Sequence, residues 1–342
     1  MGAPDSKMTW GKLDWPALDR LRERFLAGRA AQPQSGGEVY WRSWSDLASY
    51  DFTFAQRIGW KWDAVLRELK QRRWRPPPGP LLDWGCGSGI AGRRVLAFLQ
   101  PELPSRFELY DHSSLAMEFA ESAARAQFPT LGIEKKRWTD LEEGPPGGTL
   151  LVSHVLNELD EAGGRALRHC LDRTQAVLWV EPGTFADSRA LIALRESLRT
   201  QFDLVAPCPH QEVCGLLVAG NERHWCHQFA PAPPGIMGDS NWVRFAQRAG
   251  VDLRSLPYSY LVMERKGTRA ESSGPQNYSR ILGQPRVYKG FAKILSCQAS
   301  GVSELELQKR VQPAVFKAFK NGDAPSLWRY TLEGRRIVGL EE

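Results

Sequence analysis

The sequence predicts an α/β fold built on a doubly wound sheet, with a helical region before it and a basic, β-rich extension after it. Three observations predict this. Between residues 81 and 180 short apolar runs alternate with helical stretches, the order that builds βαβ units with right-handed crossovers on a parallel sheet. The first of those runs opens directly into a glycine-rich loop followed by a helix. The composition, 42% hydrophobic and 25% charged with 13 tryptophans over 342 residues, describes a chain able to fill a large core.

The N-terminal region, 1–75, is read as helical because apolar positions such as Leu18, Leu21 and Phe25 recur every three or four residues. Aromatic and basic residues interleave there through Tyr40, Trp41, Arg42, Trp44, Trp60, Lys61 and Trp62. They suit either stacking on nucleobases or helix packing, the commoner use. Arg75-Pro76-Pro77-Pro78-Gly79-Pro80 then ends any helix and makes a stiff linker.

Beyond the linker the expected strands are Leu81–Trp84, Phe107–Tyr110, Ile133–Trp138, Thr149–Ser153 and Ala176–Val180. Helices are expected over Ile90–Gln100, Ser114–Gln127 and Gly164–Arg173. A Cys-rich insert, 206–238, ends in Pro/Gly-rich sequence; a helix at Trp242–Ala249 and a strand at Ser259–Glu264 then close the central domain, 76–265. Residues 266–342 form the basic extension, with strand-like alternation from Arg280 to Cys297, a basic helix expected from Lys309-Arg310 through Lys320, and Trp328-Arg329-Tyr330 as a further surface element.

Residues 1–75, 76–263 and 264–342 carry net charges of +5, −5 and +6. Basic ends around an acidic centre suit a polyanionic partner, nucleic acid first, or simply solvated helix faces. No run of eighteen apolar residues and no signal-peptide core occurs, so no membrane is expected and an intracellular chain is. In a reducing compartment its 6 cysteines are better suited to binding metal than to forming disulfides.

Asp83-Trp84-Gly85-Cys86-Gly87-Ser88-Gly89 places glycines at alternate positions between a strand and a helix N-terminus. Such a loop lets backbone approach a ligand, and the free N–H groups favour an anionic or zwitterionic one. Gly87-Ser88-Gly89-Ile90-Ala91-Gly92 also satisfies the dinucleotide pattern, with Asp111 about twenty residues on. The D-x-G-x-G-x-G arrangement resembles the first motif of class I S-adenosylmethionine-dependent methyltransferases. That resemblance implies a Rossmann-like methyltransferase sheet, with Asp83, Gly85, Gly87 and Gly89 around the methionine part and Asp111 on the ribose. It also implies Trp138, Thr139 and Asp140 near the adenine, Ser153 beside the cofactor, and His154, Asn157 and Glu158 as catalytic or substrate-facing candidates.

Cys86 fits the loop as a small residue, and Cys170 reads as a buried hydrophobe. Cys208, Cys214 and Cys226, spaced C-x5-C and C-x11-C, are left with Cys297, seventy-one positions later. Four thiolates suit zinc or an iron-sulfur cluster. Zinc could instead recruit His210, His224 or His227, and unrelated buried cysteines are the plain alternative.

Together, the α/β core, Ala206-Pro207-Cys208-Pro209-His210, Cys214, Trp225-Cys226-His227 and Arg280 through Cys297 resemble the methyltransferase-like assembly factors of the mitochondrial ribosomal small subunit and their bacterial relatives. The resemblance implies that Cys208, Cys214, Cys226 and Cys297 hold a 4Fe-4S cluster, with zinc the alternative metal. It also implies association with small-subunit ribosomal RNA or the pre-ribosomal small subunit, in the cytoplasm for a bacterial-type chain or the mitochondrial matrix for a eukaryotic one. A monomer is expected off the ribosome. Gly215 departs from the proline common in relatives, and no N-P-P-Y motif of amino-group methylation follows Ser153. An RNA methyltransferase, a non-catalytic RNA-binding assembly factor and a small-molecule methyltransferase with structural zinc are therefore all compatible with the sequence.

Overall fold

The structure is a computed structural model that describes residues 8–27, 40–143, 147–268, 278–322, 324 and 326–341. The chain divides into two compact units interleaved along it, the first Met1–Val180 with Ala230–Leu256 and the second Glu181–Phe229 with Pro257–Glu342. The division by sequence at 75/76 and 265/266 runs consecutively instead.

In the first unit, with elements numbered along the chain, α1 (Trp15–Ala27), α2 (Trp44–Phe52) and α3 (Phe54–Gln71) precede the sheet. Ser43 caps α2 by accepting the Asp46 N–H at 3.1 Å, a contact of about 1 kcal/mol. Helix α3 buries Ala55, Gly59, Trp62, Val65, Leu66 and Leu69, one stripe at helical spacing. Trp41, Trp60, Trp62 and Trp74 are all buried. Of the two uses the aromatic-basic interleaving allowed, these tryptophans serve packing.

Five parallel strands follow: β1 (Leu81–Trp84), β2 (Phe107–Tyr110), β3 (Ile133–Lys135), β4 (Thr149–Ser153) and β5 (Ala176–Pro182). Their order is β3-β2-β1-β4-β5, with Leu81 opposite both Phe107 and Thr149. β1 and β2 are buried along their whole length, as expected of parallel strands covered on both faces. The intervening helices are α4 (Ile90–Leu99), α5 (Ser114–Gln127), α6 (Trp138–Glu143) and α7 (Glu161–Arg173), and α9 (Ser240–Ala249) also belongs to this unit. The third strand is shorter than the sequence suggested: Trp138 opens α6, because the Asp140 carboxylate accepts the Arg137 N–H at 2.8 Å and turns the chain. The order reverses between β1 and β4, which opens a crevice at the strands' carboxyl ends.

The second unit contains α8 (Phe185–Leu198), β6 (Phe202–Ala206), β7 (Gln228–Phe229) and β8 (Pro257–Arg265), with β6 and β7 antiparallel to β8. The basic extension is a closed barrel of β9 (Ser279–Val287), β10 (Phe291–Gln298), β11 (Gly301–Gln308), β12 (Leu327–Glu333) and β13 (Arg336–Glu341), ordered β10-β11-β13-β12-β9. Its core is Ile281, Ala292, Ile294, Leu305, Leu307 and Ile337, filled from α10 (Pro313–Asn321) by Phe316 and Phe319. Two expectations are corrected here. Lys309 and Arg310 lie in the turn after β11, before the helix begins at Pro313. Trp328 and Tyr330, two apart on one strand, pack against the barrel core instead of forming a surface, as a period of two dictates.

Candidate cofactor and cysteine sites

The glycine loop lies at the crevice of the first unit. Gly85, Gly87 and Gly89 all have left-handed φ, of 74°, 51° and 75°, which side chains rarely adopt. Gly85 and Cys86 donate their N–H groups to the Tyr110 carbonyl at 2.8 and 3.0 Å, and Gly89 donates to the Cys86 carbonyl at 2.7 Å. A Cβ on Gly92 would lie 2.3 Å from the Phe107 ring and 2.7 Å from the Asp83 carboxylate, whereas one on Gly87 would meet nothing within 4 Å. Gly87 therefore faces open space.

Two carboxylates flank that space. Asp83 is fully buried; Oδ2 accepts the Gly92 N–H at 3.2 Å, and Oδ1 has no hydrogen-bond partner among the described residues. Burial, offset in part by that hydrogen bond, raises its pKa to about 7. Asp111 accepts from the Gly87 and Ser113 N–H groups, each at 2.9 Å, while burial raises its pKa. Trp138 packs on Tyr110 and stacks with His112 at 27° between planes, which places it beside Asp111. Thr139 is exposed, and Asp140 is tied to the exposed Arg137 guanidinium. The aromatic wall of Tyr110 and His112 was not anticipated, because nothing in the sequence marks a strand-end tyrosine and its second neighbour as partners of Trp138.

At the end of β4, Ser153 accepts the Trp62 indole N–H at 3.0 Å. His154, half-buried and with φ of 58°, lies 3.1 Å from the Lys61 ammonium through Nε2 and 3.3 Å from Ser153 Oγ through Nδ1. An ammonium only donates, so Nε2 accepts and Nδ1 carries the proton. Burial and then Lys61 and Arg57 hold the pKa of His154 well below the ordinary value, keeping it neutral. Glu158 is exposed; partial desolvation, and then the Asp111 carboxylate, act to raise its pKa. Asn157 Oδ1 is buried without a hydrogen-bond partner. Lys61 and Trp62 come from α3, a role their spacing within a packing helix concealed.

In the second unit Cys208, Cys214, Cys226 and Cys297 line one cavity, together with Arg195, His210 and Arg280. Arg195 and Arg280 are 2% and 1% exposed. Cys214 and Cys297 share an apolar cluster with Ile192, Leu216 and Leu282. Cys226 is fixed through its carbonyl, which accepts from Ser188 and, at 2.9 Å, from Ser259. Burial first, and then repulsion from the neighbouring thiolates, raises the pKa of Cys226 and Cys297. The histidines sort clearly. His210 accepts the Glu212 N–H on Nδ1 and so presents Nε2–H to Cys297 Sγ at 3.4 Å; burial, and then Arg195, lowers its pKa to about 4. His224 accepts from Arg223, and His227 stacks on Trp225 with centroids 4.6 Å apart. Among the described residues, no group of three or more His, Cys, Asp or Glu is arranged to hold a metal ion. At Gly215 a Cβ would lie 2.6 Å from the Val302 nitrogen, so backbone packs on backbone there.

The parallel sheet, the covering helices and the glycine loop at the strand-order reversal define a doubly wound α/β protein with a ligand crevice at the strands' carboxyl ends. The chain belongs to the family described as mitochondrial small ribosomal subunit Rsm22, whose profile matches residues 54–329. No curated protein matches the chain. Among solved structures it is similar to magnesium protoporphyrin IX methyltransferase from Synechocystis PCC 6803 with bound SAH, at 13% identity over 74% of this chain and 95% of that one, with a TM-score of 0.38. The ribosomal protein L11 methylase from Lactobacillus delbrueckii subsp. bulgaricus is 18% identical over 41% and 69%, with a TM-score of 0.30. An S-adenosylmethionine-dependent methyltransferase from Clostridium acetobutylicum ATCC 824 is 11% identical over 42% and 58%, also with a TM-score of 0.30. No helix among the described residues is long and apolar enough to cross a membrane.

Proposed function

We propose that this chain binds S-adenosylmethionine at the glycine loop and a 4Fe-4S cluster at the four cysteines, and acts on or with small-subunit ribosomal RNA in ribosome assembly. Its working place is then the cytoplasm or the mitochondrial matrix, and off the ribosome it is a monomer. The observation that carries the reading is the meeting of Cys208, Cys214, Cys226 and Cys297 around one cavity, although the last is far along the chain. A four-iron cluster takes one thiolate at each corner, so its ligands surround a volume, whereas zinc needs four sulfurs about 2.3 Å from one point. Buried Arg195 and Arg280 suit the negative charge that four thiolates bring to either metal centre.

At the glycine loop the unpartnered Asp83 Oδ1 suits a ligand ammonium, the space over Gly87 suits a methionine chain, and Asp111 keeps lone pairs for ribose hydroxyls. S-adenosylmethionine supplies an electrophilic methyl group. Around it the chain's contribution is positioning. Of the candidates after β4, Glu158 is an exposed carboxylate able to accept a proton. One observation favours the non-catalytic alternative: His154 is held on both ring nitrogens by Lys61 and Ser153.

Metal analysis of anaerobically purified protein tests the reading: about four irons per chain and a broad absorbance near ~400 nm are expected. Colourless, zinc-loaded protein overturns the cluster. Calorimetry should show binding of S-adenosylmethionine and not of NAD, weakened by Asp111→Ala. Methyl transfer to immature small subunits, abolished by Gly87→Arg, separates the enzyme from the assembly factor.

A further inference from the structure

The barrel of the second unit has a specific topology. Its first three strands form an antiparallel meander, a helix separates the third from the fourth, and the fifth lies parallel to the third, with Glu306 opposite Arg336. The fourth strand closes the barrel against the first, Leu327 opposite Arg280. This is the arrangement of oligonucleotide/oligosaccharide-binding barrels, which take their ligands on strands two and three and on the loops joining strands one to two and four to five.

Those two loops meet at one end of this barrel. The β9–β10 turn carries Tyr288 and Lys289, the β12–β13 turn carries Arg335, and Lys309 and Arg310 follow β11. Backbone bonds join them: Lys309 N–H donates to the Gly290 carbonyl at 2.9 Å, and Glu306 N–H to the Arg335 carbonyl at 2.8 Å. Lys289, Lys309, Arg310, Arg335 and Arg336 are all exposed, and the acids at this end are Glu306 and Glu333. Tyr288, 45% exposed, stacks on Phe291 with ring centroids 4.6 Å apart and 15° between planes. Farther along the outer face, Arg286 and Lys293 pair with Glu304. The Cys297 end of β10 is covered by the insert through Cys214 and Leu216. The Tyr288 end joins an exposed aromatic face to exposed cations.

We infer that this end of the barrel binds single-stranded RNA, with Tyr288, backed by Phe291, as a stacking platform for an unpaired base and the five cations tracking its phosphates. The inference rests on the proposed role with ribosomal RNA and deepens it. A duplex seals its base faces inside the stack, so it cannot use an exposed aromatic platform. A neutral oligosaccharide, the other ligand of such barrels, has no use for five cations.

Fluorescence anisotropy of the full, cluster-containing chain with a labelled single-stranded RNA of about 12 nucleotides tests it. Tyr288→Ala is expected to weaken binding about ten-fold. The double variant Arg335→Glu/Arg336→Glu is expected to weaken it further and to flatten the salt dependence by about 0.7 per lost phosphate contact. Both variants should keep the wild-type melting temperature, iron content and S-adenosylmethionine binding, since the altered side chains are exposed. Variants that bind RNA as tightly as the wild type, with iron and cofactor binding intact, overturn the barrel site alone. A duplex of equal length that binds as tightly as the single strand overturns it too. Tyr288-dependent RNA binding by a chain lacking iron and cofactor binding supports the barrel site and overturns the proposed function instead.

Discussion

Asp83 shows how much one buried carboxyl can decide. Its pKa of about 7 stands above the ordinary unfolded value, so its contribution to stability is full below about pH 4 and is lost as pH rises through about 7. A ligand ammonium at the unpartnered Oδ1 favours the ionised form. Affinity for S-adenosylmethionine should therefore rise between about pH 6 and 8, and Asp83→Asn should bind at least about ten-fold more weakly with a flat profile over that range. Calorimetry at several pH values measures both; an unchanged profile in the variant counts against Asp83 as the ammonium partner. Two neighbouring glycines give a contrast. Gly92→Ala pushes a methyl into Phe107 and Asp83 and should lose about 1–3 kcal/mol in urea unfolding. Gly87→Ala meets no atom, so its cost is the left-handed backbone, about 1–2 kcal/mol.

At the scale of elements, sequence patterning was a good guide where a helix buries one stripe or a short apolar strand is covered on both faces. Helix α5 and strand β4 run over the residues expected, Ser114–Gln127 and Thr149–Ser153. Helix α8 and strand β6 went unanticipated. In α8 the buried positions, Ser188, Leu191, Ile192, Arg195 and Leu198, include a serine and an arginine, so no apolar stripe advertises the helix. The turn at Gly215 shows a constraint of another kind: it lies against the backbone of Gly301 and Val302, between the insert and the β10–β11 turn. Gly215→Ala should lower stability by about 1–3 kcal/mol, because backbone atoms cannot yield as a flexible side chain does. It should also lose iron faster in a chelator chase than the wild type; equal stability and equal iron loss would show that the turn adjusts freely.

Across the whole molecule, the long excursion from Cys226 to Cys297 matters most. A metal centre joining them closes a long loop, and such closure gains stability mainly from the entropy it removes from the unfolded chain. Stripping the proposed metal centre anaerobically, or Cys297→Ser, should lower the thermal midpoint by roughly 5 °C or more. Protease cleavage within 207–229 should speed up at the same time. An unchanged midpoint and cleavage rate would mean that apolar packing of Cys214, Leu216, Leu282 and Cys297 alone holds the insert to the barrel.

The sequence by itself determined the parallel sheet, the glycine loop with Asp83 and Asp111, and the clustering of Cys208, Cys214 and Cys226. Each depends on local order: apolar runs of strand length, glycines at fixed spacing, and thiols too sparse to gather by chance. Tertiary structure alone decided the rest. It showed that the tryptophans pack, that Trp328 and Tyr330 face a core, and that Lys61 and Trp62 reach the residues after β4. It also brought Arg195 and Arg280 to the cysteine cavity and closed the basic extension into a barrel that gathers five cations around Tyr288. Those contacts join residues tens to hundreds of positions apart, and only the register of strands and the packing of helices, which no local pattern encodes, bring them together.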